Sequence, residues 1–209
     1  MTARKTAADS ALGAAILARE DVEDLLVVGA GALAPHFAEA HLAARPSLRR
    51  VTIWNRTPSR AEAVAAQLRE KGIDAVVGDD LDDAVARADV VSCVTMSDKA
   101  LVKGTLLRPG AHLDLVGAYL PHLREADNAA LTRGTIFVDS RNNMQGGGDL
   151  SQAVASGAIT WNAVEADLFE LVQRKREGRT GADQITVFKN NGGAHLDLFT
   201  AAALLQTLG

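Results

Sequence analysis

The sequence predicts an α/β fold with a doubly wound, mostly parallel sheet. Short apolar runs alternate with stretches of helical periodicity along most of the 209 residues, which is the pattern of strands joined by crossover helices. The first run, Leu25-Leu26-Val27-Val28, leads into Gly29-x-Gly31-x-x-Ala34 and then into a helical pattern. A strand, a glycine turn and a helix in this order are typical of a Rossmann-type dinucleotide-binding fold.

The glycine turn predicts a site for a pyrophosphate. Gly29 permits the tight turn, Gly31 presents no Cβ to an approaching phosphate, and Ala34 lets the helix pack closely on the strand. The helix N-terminus offers unpaired N–H groups and a positive dipole end to the anion. The alternative is that the glycines serve the chain's own packing alone.

Seven strands are predicted, at residues 25–28, 51–54, 75–77, 90–94, 112–116, 135–138 and 185–188. Helical segments are predicted at residues 6–18, 32–44, 59–71, 80–88, 101–107 (a turn), 127–133, 149–156, 164–174 and 194–205, with a glycine-rich loop at 142–148. Ser59 and Glu62 have the spacing of a capping box, and Asp149 is the expected cap of its helix. We divide the chain into a connecting helix at 1–20, a Rossmann domain at 21–192 and a C-terminal helix at 193–209.

Composition excludes several classes of function. The net charge of −4 argues against nucleic acid as a partner, and no apolar run is long enough for a membrane span. The single Cys93 cannot form an internal disulfide, so a reducing, cytoplasmic setting is expected. No group of Cys, His and carboxylate residues has metal-ligand spacing, so no metal is predicted.

The end of the second strand indicates which dinucleotide is bound. NAD enzymes usually place a carboxylate there for the ribose 2′-hydroxyl. This sequence has Asn55, Arg56 and Thr57 instead. Arg56 can pair with a 2′-phosphate and Thr57 can hydrogen-bond it, so NADP(H) is predicted over NAD(H). The alternative is ordinary turn chemistry with Arg56 in solvent.

The ends of the fourth and fifth strands are expected beside the nicotinamide ring, because open α/β sheets bind ligands at the carboxyl ends of their strands. The residues concerned are Thr95-Met96-Ser97 and Gly117-Ala118-Tyr119. Thr95 can hydrogen-bond the ring carboxamide or the ribose, although a simple capping role is equally compatible with its position.

Six segments stand out in order along the chain: Lys5-Thr6-Ala7-Ala8, residues 28–34, Trp54-Asn55-Arg56-Thr57, Leu106-Leu107-Arg108-Pro109-Gly110, Arg124-Glu125-Ala126-Asp127 and Ile185-Thr186-Val187-Phe188-Lys189. Together they resemble the ornithine cyclodeaminase/mu-crystallin family. The resemblance covers nearly the whole chain. This family includes ornithine cyclodeaminases, alanine dehydrogenases and reductases of cyclic imines such as Δ1-pyrroline-2-carboxylate.

The resemblance implies roles for individual residues. Lys5 stands where the family has an arginine that contacts the substrate carboxylate; lysine keeps the charge but loses the bidentate fork. Asn55 resembles the NADPH-using mu-crystallin side, since cyclodeaminases carry an aspartate there. The implied cofactor contacts are Ala32, Leu33, Asn55, Arg56, Thr57, Thr95, Val116, Gly117 and Asn190.

Two positions depart from the cyclodeaminases. Tyr119 stands where they have a catalytic aspartate, and Leu123 where they have a lysine. Both departures favour a reductase. Tyr119 is therefore the candidate catalytic residue that supplies or relays a proton, the alternative being that it merely closes the pocket. Arg124 and Glu125 are expected in a solvent-exposed helix start.

The expected function is NADP(H)-dependent reduction of a small cyclic imino acid to the amino acid. The alternatives are NAD-dependent conversion of ornithine to proline with loss of ammonia, and a non-catalytic NADPH-binding protein. Family members carry an N-terminal domain before the Lys5 segment that supplies much of the substrate site and the homodimer interface. That domain and interface are expected to be missing here, with weak or absent turnover as the consequence.

Overall fold

A computed structural model describes residues 2–208. Eight strands form one sheet in the order β3-β2-β1-β4-β5-β8-β6-β7, and every neighbouring pair is parallel. The strands are β1 (Asp24–Val28), β2 (Arg50–Trp54), β3 (Asp74–Val77), β4 (Val90–Cys93), β5 (His112–Leu115), β6 (Thr135–Val138), β7 (Val164–Asp167) and β8 (Thr186–Lys189). The predicted fold class is confirmed.

Helices cover both faces of the sheet, so the central strand β1 is almost wholly apolar and buried on both sides. They are α1 (Thr2–Leu17), α2 (Ala34–Ala44), α3 (Pro58–Glu70), α4 (Leu81–Arg87), α5 (Asn128–Arg133), α6 (Gly148–Ala155), α7 (Leu168–Val172) and α8 (Ala194–Leu208). Phe37, Ile53 and Leu68 belong to the core on one face, and Leu113 and Leu131 to the core on the other.

The first helix is packed onto the sheet by polar contacts as well as apolar ones. The Arg45 guanidinium, at the end of α2, donates to the carbonyls of Ala14, Ala15 and Ala18 at the end of α1. Ser10 Oγ donates to the buried Asp114 carboxylate of β5 over 2.8 Å. α1 therefore caps this part of the sheet. Met1 and Gly209, the outermost residues of the predicted end segments, lie outside the described residues.

One predicted helix is in fact a strand followed by a short helix. Residues 164–174 were expected to be helical, but β7 occupies Val164–Asp167 and α7 only Leu168–Val172. The boundary is set by Asp167, which accepts from the Glu170 N–H while the Glu170 carboxylate accepts from the Asp167 N–H. This capping box starts the helix four residues later than predicted.

Three local predictions were also wrong. α3 begins at Pro58 with Thr57 as N-cap, so the Ser59–Glu62 capping box does not form. Asp149 does not cap α6, whose N-cap is Gly147; the Asp149 side chain is buried inside the structure. The turn predicted at 101–107 shrinks to one 3₁₀ turn, Gly104–Leu106.

Candidate cofactor and substrate site

A cleft opens at the carboxyl ends of the central strands, where the chain order reverses between β1 and β4. Such a switch point is the expected ligand site of an open α/β sheet. The cleft consists of two cavities of ≈ 360 Å³ each, which share Leu33, Val94, Thr95 and Met96 along their common wall. One extends over the glycine turn to the end of β2, and the other extends over the end of β5 to α1.

The two glycines of the turn have different reasons for being glycine. Gly29 has a φ of 114°, and a Cβ there would lie 2.9 Å from the Val94 carbonyl oxygen. Gly31 has no such conflict, because a Cβ there would meet no atom of the described chain within 4 Å. The space beside Gly31 belongs to the cleft, at the entrance to α2. This is the cradle that a pyrophosphate requires and that a side chain would fill.

The far end of the first cavity carries two arginines. Asn55 and Arg56 line it, and the Asn55 amide donates to the Thr57 carbonyl over 3.0 Å. Thr57 itself stands at the N-cap of α3. Arg60, which the sequence prediction did not include, lines the same cavity from the first turn of α3. Its position four residues after Arg56, within a helix start, was the signal that could have found it.

The predicted nicotinamide end is built from backbone held by a buried carboxylate. The N–H and hydroxyl of Thr95 donate to Glu125 Oε1 over 2.6 and 3.0 Å, so the threonine proton points into the protein. A Cβ on Gly117 would lie 1.6 Å from the Thr95 carbonyl oxygen, so the loops after β4 and β5 are in direct contact. The expectation of a solvent-exposed Glu125 is wrong, because its side chain is fully buried.

Comparison with known proteins now identifies the family. Residues 1–207 match the sequence model of the ornithine cyclodeaminase/mu-crystallin family. This chain belongs to that family. It is 44% identical to Protein SAR DEFICIENT 4 of Arabidopsis thaliana, covering 99% of this chain and 65% of that protein. It is also 44% identical to the Δ1-pyrroline-2-carboxylate reductase of Paracoccus denitrificans, covering 100% of this chain and 66% of the reductase.

Solved structures of the family have the same fold. The Δ1-pyrroline-2-carboxylate reductase of Thermococcus litoralis, solved with NADH and L-proline, superimposes with a TM-score of 0.93 at 28% identity over 96% of this chain and 62% of that one. The iminosuccinate reductase of Paracoccus denitrificans, solved with NAD⁺, gives 0.87 at 28% identity over 98% and 62%. The chain thus spans about two thirds of the length of the relatives it matches.

The remaining positions implied by the family resemblance line the second cavity, which contains Lys5, Val116, Gly117, Tyr119 and Asn190. The Lys5 ammonium forms an ion pair with the Asp197 carboxylate of α8. The Asn190 amide is engaged with the protein, donating to the Thr6 carbonyl and Ser10 Oγ over 3.1 and 3.0 Å. Tyr119 is 49% exposed, so its phenol is accessible from the cleft.

Neither metal nor membrane features are found in the part of the family domain that the structure describes. Within residues 2–208, no three His, Cys, Asp or Glu side chains converge in a way that could hold a metal ion. None of the helices in the same range combines the length and apolarity required to cross a bilayer.

Proposed function

We propose that this chain is the dinucleotide-binding part of an oxidoreductase that reduces a small cyclic imino acid, of the Δ1-pyrroline-2-carboxylate type, to the amino acid. The continuous cleft from the glycine turn to Tyr119 carries the proposal, because it offers an extended dinucleotide and a small substrate adjoining places. The names of the relatives from Paracoccus denitrificans and Thermococcus litoralis support the same reaction.

In this proposal the first cavity holds the adenosine and pyrophosphate of the cofactor, and the second holds its nicotinamide beside the substrate. The reduced nicotinamide supplies the hydride. Ala32 and Leu33, at the entrance to α2, offer backbone N–H groups to the pyrophosphate. Lys5 attracts the substrate carboxylate, and Tyr119 supplies or relays the proton that the imine nitrogen requires.

We also propose a preference for NADP(H). Among residues 2–208 no carboxylate lines the first cavity, and Arg56 and Arg60 both line its adenosine end. A 2′-phosphate would pair with these groups, whereas an aspartate in place of Asn55 would repel it. The relatives solved with NADH or NAD⁺ do not decide the point, since the preference depends on residues of this chain.

Ornithine cyclodeamination is the weaker alternative. The cleft has a phenol at residue 119 rather than a carboxylate, and Leu123 is a buried apolar side chain, 4% exposed. Neither residue can act as the aspartate and lysine do in cyclodeaminases. The cyclodeaminase alternative predicts ammonia release from ornithine with NAD⁺, while a non-catalytic role predicts NADPH binding without turnover.

The test is consumption of NADPH, followed by absorbance, with Δ1-pyrroline-2-carboxylate and the purified chain. NADPH oxidation with proline as product, slower with NADH, is the expected result. Ammonia release from ornithine would favour the cyclodeaminase. Quenching of Trp54 fluorescence by NADPH without turnover would favour cofactor binding alone, since Trp54 lines the first cavity.

An arginine variant tests the cofactor preference. Arg56→Ala is expected to weaken NADPH about tenfold and NADH by less than about twofold, because only NADPH loses a charge-assisted pair. Arg49→Ala is the matched control, since Arg49 is an exposed arginine just before β2, at the other end of that strand. Equal losses for the two dinucleotides in Arg56→Ala would refute the preference.

A further inference from the structure

The carboxylate of Glu125 is the point where the two loops of the second cavity are joined. Its Oε2 accepts from the N–H groups of Val116, Gly117 and Ala118 over 3.0, 2.7 and 3.3 Å. Its Oε1 accepts from the N–H and hydroxyl of Thr95. One side chain therefore holds backbone from the ends of two neighbouring strands.

This arrangement replaces strand pairing at the place where the strands separate. The last pair in the β4–β5 register is Cys93 with Leu115, and the Val116 N–H also donates to the Cys93 carbonyl. Beyond that bond, the described part of the sheet supplies no partner for the N–H groups of Gly117 and Ala118. A buried N–H without an acceptor costs free energy comparable to a lost hydrogen bond. The Glu125 carboxylate meets that requirement and fixes the loop shape.

Glu125 is itself held from behind. The Glu125 and Ala126 N–H groups donate to Asp149 Oδ1 over 2.8 and 3.2 Å. Asp149 Oδ2 faces the Lys189 ammonium at 3.4 Å, and all three charged side chains are fully buried. Burial and the Asp149 carboxylate raise the pKa of Glu125 to about 8, while Lys189 opposes that rise. A buried group retained at such a cost is a candidate for a functional role.

We propose that Glu125 is a positioning residue for the nicotinamide half of the dinucleotide, which it serves by holding Thr95 and residues 116–118 in their binding shape. This inference rests on the proposed function. Among the described residues, the hydrogen bonds of the Glu125 carboxylate reach Thr95 and residues 116–118, and none reaches the glycine turn or Arg56. Its influence is therefore expected on the nicotinamide half of the cofactor.

The restriction to one half provides the test. Glu125→Gln keeps the shape but sets an NH₂ donor against the N–H donors of one loop. At about pH 9, where Glu125 is ionised, it is expected to weaken NADH about tenfold, the size of a charge-assisted hydrogen-bond loss. It should leave 2′,5′-ADP, which contains only the adenosine half, within about twofold of wild type. Hydrogen exchange should rise in peptides covering 95–97 and 116–118 and stay unchanged in β1 and β2.

Glu165→Gln is the matched control, because Glu165 on β7 is exposed and lies far from the cleft. Unchanged NADH affinity in a folded Glu125→Gln would overturn the proposal, as would equal losses for NADH and 2′,5′-ADP. If Glu125→Gln fails to fold, Glu125→Asp serves in its place. Aspartate keeps a carboxylate for the same N–H donors but moves it away from them by the length of one methylene. That variant is expected to weaken NADH selectively, and an unaltered affinity would equally overturn the proposal.

Failure of the proposed function would look different. A wild-type chain that binds neither NADH nor NADPH would overturn both the proposed function and the cofactor role of Glu125. If the wild-type chain binds NADH and folded Glu125→Gln binds it with the same affinity, only the positioning role is overturned.

Discussion

Asp9 on α1 is expected to make the protein less stable as the pH rises. Its side chain is 6% exposed, and Oδ2 has no hydrogen-bond partner among the described residues. The pKa of Asp9 is raised from 3.8 to about 8, mainly by burial and further by the nearby Asp139 and Asp114 carboxylates. The folded protein therefore keeps this carboxyl protonated at neutral pH, whereas the unfolded chain ionises it.

The sign and size of the effect follow from proton linkage. Below about pH 4 both states hold the proton, and the folded form carries no penalty from Asp9. From about pH 4 to 8 the folded state binds the extra proton, so this group lowers the free energy of unfolding by about 1.4 kcal/mol per pH unit. Above about pH 8 the loss levels off, at roughly 5 kcal/mol in total. The stability that depends on protonated Asp9 is thus fully present in acid and is lost as the pH rises.

The variant Asp9→Asn removes the titration while keeping the side-chain shape. Its stability relative to wild type is expected to grow by about 4 kcal/mol between pH 5 and pH 8. In thermal unfolding that is roughly 10 °C for a chain of this size. Urea unfolding across this pH range measures it, with the exposed Asp183→Asn as a control that should follow wild type. Wild-type and Asp9→Asn stabilities that run parallel from pH 5 to 8.5 would refute the reasoning.

Two further predictions concern the cleft. Gly117→Ala is expected to lower the free energy of unfolding by about 3 kcal/mol or more, measured by thermal unfolding, because its Cβ would collide with the Thr95 carbonyl. Gly31→Ala should unfold like wild type in that measurement yet bind NADPH more weakly. Asp197→Asn is expected to lower the KM for Δ1-pyrroline-2-carboxylate, because it releases the Lys5 ammonium from its ion pair. Lys5→Ala should raise that KM. Unchanged KM values in both variants would contradict a substrate role for Lys5.

The sheet could be predicted from the sequence wherever a strand is buried on both faces. β1, for example, is an unbroken apolar run ending at a glycine turn, and no other local structure fits that pattern as well. β7 escaped because Val164-Glu165-Ala166-Asp167 is short, half polar and lies at the edge of the sheet. Its four residues do alternate apolar and polar, but so short an alternation is outweighed by the helical pattern that continues after it.

The loops of the site could also be predicted, but their internal bonding could not. Strand order places Thr95 and Gly117 at the cleft because the carboxyl ends of parallel strands meet at one edge. The partners of those loops come from elsewhere in the chain. Lys5 pairs with Asp197, 192 residues away. Glu125 binds the ends of β4 and β5 although it lies in Arg124-Glu125-Ala126-Asp127, a charged segment typical of a surface turn. Sequence periodicity contains no information on such contacts.

Buried carboxylates hold the connections at both ends of the sheet, with opposite consequences for stability. At the amino ends, Asp89 accepts from Arg19 and Arg108 and from backbone N–H groups, and these donors lower its pKa despite burial. At the carboxyl ends, Glu125 and Asp139 are held by backbone N–H groups, and burial raises the pKa of both. Ionising Glu125 or Asp139 therefore costs stability, whereas ionising Asp89 adds to it. For Glu125, which holds the loops of the cleft, such a cost is what a binding site retained at the expense of stability would show.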